Sequence, residues 1–276
     1  MRVGVLVLHG FGNQTEESIS QVKKLGFDNF QLASWDSSLW TDFEAEKIIR
    51  CCEQYGVEIS TFWCGWGGPQ CWNLYDGPET LGFVPITYRY LRFEEFKKGS
   101  DFAKKLSVQN VATHVGFIPE CPHDPIYLSL IPLLRELSLY LKGNNQNFLF
   151  ETGQETPVTL LRTIEDIGTD NLGINLDPAN FIMYGKANPV DAVGIIGKYI
   201  KNVHGKDGNY PINGRELGCE TPMGEGMVNY PEFIRALKRA GYDGPITIER
   251  EISGEQQIKD IVASAEMLRK LIAEIE

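Results

Sequence analysis

Residues 147–153 read NFLFETG: an apolar run of Phe148, Leu149 and Phe150 that ends on Glu151, with Gly153 just beyond. A carboxylate withdrawn from water beside such a run is costly unless another group compensates it. Three later stretches repeat the arrangement. LGINLD (172–177), IKNVH (200–204) and PITIE (245–249) are each a short apolar strand closing on an acid or a histidine.

Outward from these, short strands alternate with helical periodicity along the whole chain. The predicted strands cover residues 3–8, 30–34, 57–62, 108–115, 147–151, 172–176, 200–204 and 245–249. The predicted helices cover 15–25, 42–55, 87–105, 125–141, 157–167, 190–198, 231–240 and 257–276, with Gly26 as a C-cap of the first. Eight β-α repeats without a linker predict one α/β domain over residues 1–276, a (β/α)8 TIM barrel. An open doubly wound sheet would carry a G-x-G-x-x-G turn after a strand, and HGFGNQ (9–14) lacks that spacing.

Composition narrows the function. A net charge of −11 argues against a nucleic-acid partner, whose phosphates it would repel. No window reaches the roughly 18 apolar residues of a membrane span, and MRVGVLVLHGFGNQ reads as a first strand rather than a signal peptide. The six cysteines (51, 52, 64, 71, 121, 219) form no C-x-x-C pair and read as reduced thiols, so a cytoplasmic location is expected.

In a barrel of this kind the active site lies at the C-terminal strand ends. Those ends present His9, Trp35, Trp63 with Trp66, His114, Glu151, Asp177, His204 and Glu249 in chain order. Four successive strands thus each offer one hard or borderline ligand. Three carboxylates and an imidazole suit Mn²⁺, Mg²⁺, Co²⁺ or Zn²⁺, and a divalent cation answers the mutual repulsion of the acids. Singly, each has a plainer reading: Glu151 as a salt-bridge residue, Asp177 before Pro178 as a helix cap, His204 as a packed histidine. Their recurrence on consecutive strands favours a metal site.

FETG, NLDPAN, VHGKD, MGEGMVNYPEFIRALKRAGYDG and ITIERE together resemble the xylose isomerase-like TIM-barrel superfamily, in its sugar phosphate isomerase/epimerase branch with relatives of D-tagatose 3-epimerase and inosose dehydratase. The resemblance covers essentially the whole barrel. It implies that Glu151, Asp177, His204 and Glu249 are the metal quartet and that the G-E-G of residues 224–226 shapes the substrate site. It also implies a sugar, sugar phosphate or cyclitol substrate, and relatives are commonly dimers or tetramers, so a homo-oligomer is expected.

The reaction so implied is isomerisation or epimerisation by α-proton transfer, through an enediolate stabilised by the cation, with Glu151 and Glu249 as base and acid on opposite faces. Asp177 and His204 hold the cation. Substrate contacts are expected from His9, Trp35, Trp63, Trp66, His114, Asn180, Lys206 and Arg215, with Phe11 in the same aromatic group and Trp72 as loop packing. Asp207 is expected to orient Lys206, and Glu251 to be an ion-pair partner. Asn180 stands where some ketose 3-epimerases have a histidine, which leaves dehydration of an inosose-like keto-cyclitol as an alternative, beside a barrel that binds metal and sugar without turnover. Endonucleases of the endonuclease IV type share the fold, but a histidine-rich three-metal site and a basic face do not fit four histidines and this charge.

Overall fold

The strands alternate in a way that fixes which side chains enter the barrel. In β1 (Arg2–His9), Val3, Val5 and Val7 pack in the large core between barrel and helices. In β5 (Asn147–Glu151), Phe148 and Phe150 join that core, while Leu149 packs inside the barrel with Ala33, Trp63 and Ala112. By the two-residue period of a strand, Glu151 follows Leu149 inward.

The computed structural model describes residues 1–10 and 15–275. The chain continues from β1 through α1 (Thr15–Lys24), β2 (Asn29–Ser34), α2 (Asp42–Tyr55), β3 (Glu58–Cys64), α3 (Gly77–Thr80), α4 (Arg89–Lys105), β4 (Asn110–Thr113) and α5 (Pro125–Gly143) to β5. It then runs through α6 (Pro157–Ile167), β6 (Leu172–Leu176), α7 (Pro178–Met183), α8 (Pro189–Ile196), β7 (Ile200–Gly205), β8 (Asp207–Gly208), β9 (Glu220–Thr221), α9 (Tyr230–Arg239), β10 (Pro245–Ile248) and α10 (Glu255–Ile275). Eight parallel strands close in the order β1-β10-β7-β6-β5-β4-β3-β2, and β8 and β9 form a small antiparallel ribbon above β7. The expected (β/α)8 barrel is therefore present. Among the described residues, no helix is long and apolar enough to cross a membrane, and all six cysteines are free.

Local chemistry sets the helix boundaries nearest the mouth. Thr156 caps α6 by accepting from Thr159 N, and Gly168 ends that helix in the left-handed region. Asp177 caps α7, a helix absent from the predicted elements, by accepting from Asn180 N at 2.8 Å. Gly153 leaves little room for a side chain: a Cβ there would lie 3.1 Å from Asn180 Cβ and 3.2 Å from the Tyr184 ring.

The strand register brings the site to one level. Glu151 is paired with Asn175, and Thr247 with His204. Asp177 lies two residues beyond Asn175, and Glu249 two beyond Thr247, so all point inward.

Candidate metal centre and active-site mouth

Glu151, Asp177, His204 and Glu249 offer ligand atoms that all lie within 4.8 Å of one another. His204 Nδ1 is 3.1 Å from Glu249 Oε2, 3.4 Å from Asp177 Oδ2 and 3.6 Å from Glu151 Oε1. Its other nitrogen, Nε2, is 2.7 Å from Gln31 Oε1. That amide oxygen can only accept, so Nε2 carries the proton and Nδ1 faces the carboxylates as the ligand atom. Three acids and one such imidazole, all converging, fit a hard or borderline divalent cation. Such a cation takes the place of a proton at Nδ1.

Amides beneath the quartet hold it. Asn175 Nδ2 donates to Glu151 Oε2 at 3.1 Å, and Asn175 Oδ1 accepts from Gln31 Nε2 at 3.3 Å and from Asn202 Nδ2. Trp63 Nε1 also donates to Glu151 Oε2, so that oxygen is fixed while Oε1 faces the quartet. Gln31, Asn175 and Asn202 were not singled out in the sequence. Their signal is the alternation itself, since Asn175 stands two residues before Asp177 and Asn202 two before His204.

The two glutamates stand in opposite electrostatic surroundings. Burial pushes the Glu151 carboxyl up to about 8, with His204 opposing and Glu249 and Asp177 adding to the rise. Burial acts the same way on Glu249, but the Lys206 ammonium and His204 outweigh it and hold that carboxyl well below the usual range. Lys206 Nζ is 3.0 Å from Glu249 Oε2, 3.0 Å from Glu251 Oε1 and 3.8 Å from Asp177 Oδ2. Lys206 is buried rather than solvated, and Glu251 is its ion-pair partner.

A cavity of about 1160 Å³ opens above the quartet and extends along the groove between α1 and α10. Glu151, Glu249, Trp35, Trp63, His114, Asn180 and Lys206 line it. His114 Nε2 lies 3.4 Å from Glu151 Oε1, its Nδ1 has no partner among the described residues, and burial lowers its pKa to about 4. Neutral at physiological pH, it presents a free acceptor. Asn180 Nδ2 reaches Thr152 O at 3.2 Å and Glu151 Oε1 at 3.5 Å. Trp72 also lines the cavity, in a tilted contact with His114 at 5.3 Å.

Other expected contacts lie elsewhere. His9 shares the outward parity of Val3, Val5 and Val7. Its Nδ1 is 3.0 Å from Ser34 Oγ, its Nε2 3.3 Å from Glu44 Oε1, and its ring stacks on Phe102 in the helix layer. Trp66, in the loop between β3 and α3, is buried, with the Arg92 guanidinium 5.3 Å above its ring. Arg92 is fully buried and donates to the carbonyls of Gly67, Pro69 and Gly82, which ties that loop to α4. Arg215 is exposed, with its guanidinium 5.1 Å from the Tyr75 ring centre. Asp207 does not orient Lys206; its carboxylate accepts from the backbone of the G-E-G loop instead. Phe11 falls outside the described residues.

An uncharacterised protein of Methanocaldococcus jannaschii is 30% identical over 286 aligned positions, covering 99% of this chain and 89% of that protein. The crystal structure of a xylose isomerase domain protein from Planctomyces limnophilus superposes with a TM-score of 0.91 at 31% identity, covering 100% of this chain and 99% of that one. A D-tagatose 3-epimerase-like protein shares the fold at a TM-score of 0.76 and 22% identity, over 100% and 98% of the two chains. Residues 19–271, which carry the quartet and most of the barrel around it, match the family described as the xylose isomerase-like TIM barrel, and the chain belongs to that family.

Proposed function

We propose that this protein is a divalent-metal-dependent isomerase or epimerase of sugars or cyclitols, working by transfer of the proton α to a carbonyl. The observation that carries the reading is the pair Glu151 and Glu249. They line one cavity, belong to strands separated by β6 and β7, and differ in that Glu249 is paired with Lys206. A cation held by Glu151, Asp177, His204 and Glu249 supplies Lewis-acid polarisation of substrate oxygens.

The chain's own residues do the rest. Glu249, paired with Lys206 Nζ at 3.0 Å, suits the base, and Glu151, across β6 and β7 on the other side of the quartet, suits the group that returns the proton. His114 Nδ1 and Asn180 Oδ1 offer acceptors to substrate hydroxyls, the Asn180 amide hydrogens being held by Thr152 O and Glu151 Oε1. Trp35 and Trp63, with ring centres 4.8 Å apart, offer an apolar wall to a C–H face and exclude water. The test is exchange: protein loaded with Mn²⁺ should wash deuterium from the solvent into the α position of a bound ketose or keto-cyclitol, read by NMR. Binding of such compounds without any exchange would sink the proton-transfer reading.

A further inference from the structure

Acids outnumber bases at the mouth, and a divalent cation on the quartet would offset two of its three carboxylate charges. Glu17, Glu151, Glu249 and Glu251 line the cavity as acids, with Lys206 and Arg250 as bases. Lys206 is held between Glu249 and Glu251, and Arg250 between Glu220 at 2.8 Å and Asp260 at 2.8 Å. Residues 11–14, Phe-Gly-Asn-Gln, add no charged side chain.

TIM barrels that take phosphorylated ligands often seat the phosphate on backbone amides in the loops after the seventh and eighth strands. Here the seventh barrel strand in chain order is β7, and the loop after it does form a nest of amides. Gly208 N, Gly224 N, Gly226 N and Val228 N all converge on the Asp207 carboxylate, at 2.8, 2.9, 3.1 and 3.0 Å. The packing is tight enough that a Cβ on Gly226 would lie 2.2 Å from Asp207 Oδ1. In the loop after β7, the nest that could receive an anion is filled by the chain's own anion.

Apart from the acid Glu17, what remains open among the described residues is neutral. The wall is Trp35, Trp63 and Trp72, and the polar groups are the His114 and Asn180 side chains and the Tyr184 hydroxyl, which accepts from Gln154 Nε2 at 3.1 Å.

We infer that the ligand is an uncharged, unphosphorylated polyhydroxy carbonyl compound, a free ketose or keto-cyclitol, and that the mouth rejects phosphate esters of the same sugars. This rests on the proposed function for the carbonyl, while the charge argument stands independently of it. A phosphate monoester carries about −1.5 to −2 at neutral pH. Seating it here requires either breaking the pairs around Lys206 and Arg250 or placing the dianion beside Glu17 and Glu251.

The experiment is a titration of the Mn²⁺-loaded protein with D-fructose, D-tagatose and their 6-phosphates at constant ionic strength, followed by tryptophan fluorescence. The expected result is quenching by a free ketose, with the matching phosphate at least tenfold weaker. Glu251→Gln frees one side of Lys206 and should shrink that preference several-fold. A 6-phosphate that binds wild type as tightly as the free sugar, or more tightly, overturns the inference. Proton exchange in the same samples separates the two claims. A tightly bound phosphate that exchanges its α-proton overturns the neutral-ligand inference and leaves the chemistry standing. A preferred free ketose that never exchanges does the reverse.

Discussion

Gln31→Leu tests the quartet without touching a ligand. Gln31 is fully buried inside β2, and its Oε1 is the only acceptor among the described residues within reach of His204 Nε2. Asn175 Nδ2 also lies 3.0 Å from that nitrogen, but it is itself a donor. Leucine fills most of the volume and removes the acceptor, so the imidazole loses the bond that keeps its proton on Nε2 and Nδ1 free. Loss of such an outer partner typically weakens metal binding about 10–100-fold. At a cation concentration about 100 times Kd, binding stabilises the fold by about 2.7 kcal/mol. A thirtyfold weaker site at that concentration leaves about 0.9 kcal/mol. The lost 1.8 kcal/mol or so lowers Tm by roughly 4–7 °C in a chain of this size. Calorimetric titration with Mn²⁺ measures the affinity, and thermal melts with and without EDTA measure the linkage. Gln31→Glu keeps the acceptor for Nε2 but loses the donor to Asn175 Oδ1, so its Mn²⁺ affinity should fall less than that of Gln31→Leu while its stability in EDTA drops. Mn²⁺ affinity of Gln31→Leu within twofold of wild type would refute the assignment of Nδ1 as ligand through this bond.

Glu151→Gln keeps the shape and removes the titrating group, so α-proton exchange should fall by about 10²–10⁴-fold with the far-ultraviolet circular dichroism unchanged; exchange retained within tenfold would remove Glu151 from the proton path. Asp177→Asn keeps a good helix cap and should leave the folding free energy in EDTA within about 1 kcal/mol of wild type while weakening Mn²⁺ binding, whereas Asp177→Ala should lose both; equal melting losses for the two variants would contradict the division of labour between its oxygens. Glu155 is buried with Oε1 unpartnered among the described residues, and burial pushes its carboxyl up to about 8 against the pull of Lys186. Its folded pKa is above the unfolded one, so its stabilising effect is full below about pH 4.5 and is lost as pH rises towards 8; Glu155→Gln should flatten the fall of Tm across that window, and parallel profiles for the two proteins would exclude it.

The barrel and its quartet were legible because both are local patterns. Glu151, Asp177, His204 and Glu249 each close a short apolar strand, and the recurrence of that unit locates the mouth without any long-range information. His9 also closes such a strand, yet it shares the parity of three core valines and turns to the helices. Parity, not position at a strand end, decides which residues enter the barrel. The same rule points to Asn175 and Asn202, whereas the bond between Gln31 and His204 spans 173 residues and leaves no local mark. Arg92 is the opposite case. In RYLRFEEF it reads as one more charge on a helix, and only the folded loop, with three carbonyls turned towards α4, makes its burial tolerable.

The interior below the mouth is divided, and the division bears on the proposed chemistry. On the side of β2, β3 and β4 it is apolar and aromatic, with Ala33, Trp63 and Ala112 packed against Leu149. Towards β6, β7 and β10 it is a polar layer of Asn175, Asn202 and Thr247, joined by hydrogen bonds and reached by Gln31 from across the barrel. A polar layer of this kind is stable only when its members satisfy one another, and satisfied amides hold carboxylates at fixed angles better than a packed apolar layer could. An α-hydroxy carbonyl compound is divided in the same way, with oxygens along one edge and C–H bonds across one face. On the proposed function, such a compound docked with its oxygens towards the quartet would set that face against Trp35 and Trp63, with Glu151 and Glu249 on either side of the carbon between. The split of the barrel interior thus gives the four converging side chains of the candidate metal centre a polar side and an apolar side.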